Sequence, residues 1–262
     1  MAGAARQRRA PHGLREWRMA GLAWLDEAEG GAKVLVRRPR PHTSSPIHPI
    51  TAKNAERFGR ALARTHRAGA PGFGAAPPGW KGDGFFGKDP LPMPSADALP
   101  TSWGSFYATY RLLPAARQSL ARGGIDSTSM EQIERLCALL SAGAFDDSRP
   151  ASRIHGDLWI RNLVQTRKGF AMTSPSAHGG HAETDLATLR LSGAPFLELI
   201  EGAWAEEYQP VGDWRARTEL HQLHTMLVHP ALFANPPRRS YYEGRMPHQA
   251  GEIAESYANK HR

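Results

Sequence analysis

Read for apolar periodicity, the chain is a series of helices interrupted by one β-leaning segment. Leu14, Trp17, Gly21, Leu22, Trp24 and Leu25 recur at three- and four-residue spacing and predict a helix over 14–29, ended by Gly30-Gly31. Residues 32–36, Ala-Lys-Val-Leu-Val, read as a short strand before the basic, proline-broken run Arg37 to His42. Thr51 is placed to cap a helix over 52–67, with Phe58, Leu62 and Thr65 or His66 on one face and Gly69 as its stop. A stretch rich in Gly and Pro follows up to residue 101, with Trp80, Phe85 and Phe86 as aromatic anchors. Ser102 caps a helix to about residue 120, which Pro114 ends or kinks. Trp103, Phe106, Tyr107, Tyr110 and Leu113 stripe that helix. Thr128 and Glu131 form a capping box for a helix to about residue 140, burying Ile133, Leu136, Cys137 and Leu140. Helices are predicted over 183–191, 195–207, 213–233 and 249–258, with residues 173–182 as loop.

The β-leaning segment carries the chemistry. Ser152-Arg153-Ile154 leads into His155-Gly156-Asp157-Leu158-Trp159-Ile160-Arg161-Asn162, and Leu163 to Thr166 with Gly169 to Met172 then form a hairpin. A strand–loop–strand frame holds Asp157 and Asn162 five residues apart over one cleft. That spacing matches kinase-type phosphoryl transfer, in which the loop Asp accepts the proton of the attacking hydroxyl and the Asn binds a magnesium ion. A bare His-Gly-Asp tripeptide also fits an Asx-turn after a strand; the Asn at this offset and the apolar flanks favour the kinase-like reading.

Composition narrows the picture. The 262 residues suffice for one large domain or two lobes, and 40% apolar against 22% charged residues supports a packed core. The net charge of +8 favours anionic partners. The aromatics lie on apolar helix stripes, not among the arginine runs, which argues against nucleic-acid binding. The single Cys137 rules out an internal disulfide framework and fits a reducing cytoplasmic setting. No apolar run is long enough to span a bilayer. Arg6, Arg8, Arg9 and Arg15, with no apolar region after them, suit a basic disordered tail over 1–13 rather than a secretory signal. His221, His224 and His229, or His178 and His181, could serve as metal ligands, but structural histidines are the simpler reading.

Several separate segments together resemble the fructosamine/ketosamine-3-kinases, whose fold is that of aminoglycoside phosphotransferases and protein kinases. They are Phe58 to His66; Phe106-Tyr107 with Arg111-Leu112 and Pro114; His155 to Asn162; Gly179 to Ala187; and Leu220 to Leu223 with Leu227 and His229. The resemblance implies an α+β, protein-kinase-like fold: a truncated small-lobe remnant over 14–70, a connection over 71–101, and a mainly helical large lobe over 102–262 with a β-hairpin. It implies ATP-dependent phosphorylation of the C3 hydroxyl of a small-molecule or protein-linked ketosamine, with ATP and magnesium. Asp157 would be the base, His155 an orienting residue, Asn162 a magnesium ligand and Asp185 a brace on the loop. Trp159 would either stack on the sugar or simply pack.

The departures from the family fall on the nucleotide side. Ser174-Pro175-Ser176 stands where the family has Asp-Pro-Ala, so a magnesium-gripping carboxylate is replaced by a hydroxyl. Arg18 stands where the family has the Glu that pairs with the ATP-binding Lys; Glu16 is two residues off, and Lys33 lies on a different strand. The residues before Leu14 show no strand alternation from which a glycine-rich strand pair could be built. The expectation is therefore a kinase-fold chain of weak or lost activity with doubtful nucleotide binding, or a non-catalytic pseudokinase binding a ketosamine or a protein partner.

Overall fold

The computed structural model describes residues 10–36, 51–167, 169–232 and 246–260. The run 37–42, Phe233 and most of the basic N-terminal stretch lie outside them, as does the side chain of His229.

Helix α1 (Leu14–Asp26) buries Trp17, Leu22, Trp24 and Leu25. Helix α2 (Ala52–Arg67) starts at Thr51, whose hydroxyl accepts the Asn54 N–H at 3.2 Å. It ends with Arg64, His66 and Arg67, which suit the negative end of the helix dipole. The Gly/Pro-rich stretch is not all loop. It holds an antiparallel hairpin, β1 (Gly84–Phe86) and β2 (Asp89–Leu91), whose Phe86 and Leu91 are buried with Trp17.

The aromatic-striped helix runs through Pro114 without ending. Helix α3 (Trp103–Tyr107) passes into a π-helical turn, Ala108–Leu112, and continues as α4 (Leu113–Ala121). Proline has no N–H to give the carbonyl four residues back, here Tyr110, and the widened turn absorbs that defect. Helix α5 (Ser127–Ser141) is capped by Asp126, which accepts from the Ser129 N–H at 2.8 Å, in place of the expected Thr128 box.

Next come β3 (Ser152–Ile154), a 3₁₀ turn (Ile160–Asn162), β4 (Leu163–Thr166), β5 (Gly169–Met172) and β6 (His178–Gly180). Strand β4 pairs with β5 as the expected hairpin, and β3 pairs antiparallel with β6 inside the region expected to be loop. Residues 32–36 contribute one parallel bridge, Val34 with Met172, flanked by hydrogen bonds of 2.7 and 2.8 Å. Helices α6 (Glu183–Ser192), α7 (Leu197–Tyr208), α8 (Thr218–Leu232) and α9 (Met246–Asn259) complete the described chain, with a 3₁₀ turn, Trp214–Arg217, before α8.

Two large cores hold these elements. One joins α3 to α5 with α8 and α9. The other joins Trp24, Phe58 and Leu62 to Leu158, Phe170, Leu186 and Trp204, so α1 and α2 share a core with the loop after β3. Between α2 and α7 the backbones nearly touch: a Cβ at Gly59 would collide with the Ile200 carbonyl. No helix among the described residues is long and apolar enough to cross a membrane.

Candidate active site

The loop after β3 is fixed by backbone geometry. Gly156 has φ 76°, and a Cβ there would strike the Ser176 carbonyl oxygen, so only glycine fits. Leu158, fully buried, anchors the loop into the second core.

Asp185, at the start of α6, is fully buried and collects the loop's donors. Its Oδ2 accepts the His155 N–H at 2.8 Å and its Oδ1 the Gly156 N–H at 2.9 Å. His66 Nε2 stands 3.1 Å from the same Oδ2, and Trp204 Nε1–H donates to His66 Nδ1 at 2.9 Å. With Nδ1 accepting, the His66 proton is on Nε2, directed at Asp185. Burial alone would raise the Asp185 pKa, but the hydrogen bonds from His66 and from the His155 backbone N–H hold it below the usual carboxylate range. The bracing parts played by His66 and Trp204 were not apparent in the sequence. His66 read there as part of a helix face and of the Phe58–His66 segment, and Trp204 only fell within a predicted helix.

His155 is fully buried. Its Nδ1 accepts the Asp157 N–H at 3.2 Å and its Nε2 lies 3.0 Å from the Thr173 carbonyl. Those partners require a neutral ring protonated on Nε2, and burial pushes its pKa down accordingly. Asn162 donates through Nδ2 to the Asp157 carbonyl at 2.9 Å and to its carboxylate Oδ2 at 3.0 Å. Asp157, Asn162, His155 and Asp185 therefore form one hydrogen-bonded unit. Trp159 stands partly exposed at its margin with the Arg161 guanidinium 5.6 Å from its ring centre.

On the opposite wall, α1 packs through Gly21 against Pro175 and Ala177. Arg18, one turn earlier, donates to the Gly87 carbonyl at 3.1 Å. Its guanidinium is half-buried, which lowers its pKa, while the Asp157 carboxylate pulls the other way. Glu16 and Lys33 point to solvent. Ser174 occupies the left-handed backbone region at φ 54°. As donors for magnesium these residues are poor. Ser174 and Asn162 offer neutral oxygens, and Asp157 alone brings negative charge to a hard dication that favours carboxylates. The residues present do not fit a tightly held magnesium ion.

The histidines considered as metal ligands divide. Donor atoms of His181, Glu183 and His221 lie within 4.8 Å of one another. A cation already sits there: Arg217 grips both Glu183 oxygens, with Nε at 2.9 Å, and His181 Nε2 is 3.2 Å from Asp147. The cluster is a buried ion network, whereas His178 and His224 lie apart from it, each against an aromatic ring.

A family model described as fructosamine kinase matches residues 46–243. The chain belongs to the fructosamine kinase family. A Klebsiella aerogenes protein assigned as a ketoamine kinase is 28% identical over 193 residues, covering 72% of this chain and 61% of that protein. The ketosamine-3-kinase of Mus musculus is 25% identical over 137 residues, covering 52% and 44%. The chain thus matches only about three fifths of the length of such a relative. Among solved structures, a Thermobifida fusca protein assigned as a fructosamine-3-kinase superposes with a TM-score of 0.76 at 34% identity, over 95% of this chain and 82% of that one. A Haemophilus somnus protein at 17% identity shares the fold, with a TM-score of 0.68. As in these fructosamine kinase neighbours, the fold is α+β and protein-kinase-like: a mainly helical body carrying a β-hairpin.

Proposed function

We propose that this fructosamine kinase-family chain keeps the sugar-facing half of a phosphoryl-transfer cleft and has weak or no ATP-dependent ketosamine 3-kinase activity. The observation that carries the first half is the Asp157–Asn162 unit, held by His155 and Asp185 through backbone N–H groups. In that reading Asp157 takes the proton of the sugar C3 hydroxyl, and the Asn162 amide keeps its carboxylate oriented. His155 and Asp185 act as positioning residues, and Trp159 offers an apolar ring face to the sugar. Asn162 is the residue through which the family would hold magnesium. Arg18 and Ser174 support the second half. They replace two carboxylates by a cation and a neutral hydroxyl, where catalysis rests on charge placement.

The test is phosphate transfer from ATP to fructosyl-lysine by the wild type and by Asp157→Ala. Equal rates remove the active reading. A magnesium–ATP titration of thermal stability separates the cases further. Nucleotide at a hundredfold excess over its Kd would stabilise the fold by about 2.7 kcal/mol, and a flat response supports lost nucleotide binding. The non-catalytic alternative predicts ketosamine binding by calorimetry in the absence of nucleotide; no heat from either ligand counts against it.

A further inference from the structure

Two of the departures from the family, Arg18 for a Glu and Ser176 for an Ala, direct their side-chain donors at one element. Arg18 Nη2 donates to the Gly87 carbonyl at 3.1 Å, and Ser176 Oγ donates to the Phe85 carbonyl at 2.8 Å. Trp17 Nε1 donates to the same Phe85 carbonyl at 3.0 Å. Donors from α1 and from the loop after β5 thus converge on the backbone of the β1–β2 hairpin. Two strands of three residues are too short to hold together unaided in water, so the hairpin's position is set by what grips it.

Packing carries the hairpin across the molecule. Gly84 lies against the Trp17 ring, and a Cβ there would come within 2.5 Å of it. Phe86, 3% exposed, meets His224 of α8 edge-on at 5.2 Å. The hairpin therefore spans from α1 to α8. The catalytic loop lies beneath it: the Ser176 N–H donates to the His155 carbonyl at 3.0 Å, and Phe86 and Gly156 border one cavity of about 20 Å³. That space holds a water and is far too small for a sugar.

The consequence falls on Asp157. A general base has to come within about 3 Å of the hydroxyl it deprotonates. Asp157 is 8% exposed, its Oδ1 is closed to solvent and its Oδ2 accepts the Asn162 amide. An oxygen closed to water is closed to a sugar hydroxyl as well. The half-buried Arg18 guanidinium, whose pKa burial lowers and the Asp157 carboxylate raises, belongs to the same enclosure.

We propose that the β1–β2 hairpin is an autoinhibitory strap, latched by Arg18 and Ser176, and that Asp157 is uncovered only when this latch opens. This regulation rests on the reading of Asp157 as the base of the cleft. It is measured without ketosamine or nucleotide, so it stands or falls apart from kinase activity. A neutral hydrogen bond is worth about fivefold in an opening equilibrium and one from a charged group about tenfold or more, so removing both should open the strap about fiftyfold more often. The probe is alkylation of the Asp157→Cys thiol by iodoacetamide in the full chain, with Arg18→Met and Ser176→Ala added or absent. Labelling should be slow with the latch intact and about fiftyfold faster without it. Removing Arg18 withdraws a cation, which by itself makes the thiol less reactive, so a gain reports access. Cys137, buried and with its pKa pushed up to about 12, should stay unlabelled in both and marks the opening as local. Fast labelling with the latch intact, or no gain without it, overturns the strap. If the thiol variant or the double variant does not fold, amide exchange over residues 84–91 in Ser176→Ala decides. Exchange about fivefold faster there, with α2 unchanged, supports the strap, and an unchanged hairpin overturns it.

Discussion

At the scale of single residues, two positions separate folding from chemistry. Asp185 answers two backbone N–H groups and His66 at once, so Asp185→Ala leaves all three without an acceptor in a closed interior. We expect a loss of about 3 kcal/mol or more, read as a lower urea midpoint. Ser174 is the reverse case. It sits at positive φ, where Asp and Asn are tolerated better than serine. Ser174→Asp should therefore fold at least as well as the wild type, and it adds the missing carboxylate. Magnesium–ATP should stabilise this variant more than the wild type; an unchanged thermal response would mean that the nucleotide half is lost for other reasons. The loop His155 to Asn162 was legible in the sequence because its chemistry lies in side-chain identities at a fixed offset. His66 was not, because a histidine on an apolar helix face gives no sign of a partner 119 positions away.

At the scale of elements, short strands were the blind spot. Strands β1, β2 and β6 have three residues each, too few for alternation to register. Strand β2 contains Pro90 and β6 contains Gly179-Gly180, residues that argue against a strand anywhere but at a pairing edge or a close approach. Tertiary pairing with β1 and β3 creates them. The long helices were legible because their apolar faces repeat over several turns. One of their tightest contacts was not: α2 meets α7 at Gly59, where there is no space for a side chain. Gly59→Ala gains helix propensity but must push the two backbones apart. Overpacking should win, destabilising the protein by about 1–3 kcal/mol on chemical denaturation, and a stabilised variant would refute this packing.

Across the whole molecule, buried titratable groups set the pH response. His178 and His221 have folded pKa values of about 3 and about 4 against an ordinary 6.5. Glu183 and Asp147 are both held at about 2, since contacts with His221, His181 and Arg217 outweigh burial. Each of these pKa values is depressed in the folded state, so on acidification the unfolded chain takes up protons first. Stability should fall below about pH 6.5 as the histidines charge in the unfolded state, and fall again below about pH 4 through the carboxylates. A urea midpoint level from about pH 7 to about pH 4.5 would contradict the neutral burial of the histidines.

The single bridge from Val34 to Met172 bears on motion. Through it, and through Gly21 against Pro175, the wall that carries Arg18 is tied to the strand leading into Ser174. In a two-lobed kinase, opening would swing such a wall away from the floor. Arg18 also bonds the Gly87 carbonyl at the hairpin tip, so wall, floor and tip should travel as one plate. Amide exchange at Leu35 and Met172 should accordingly be as slow as in the deepest helices.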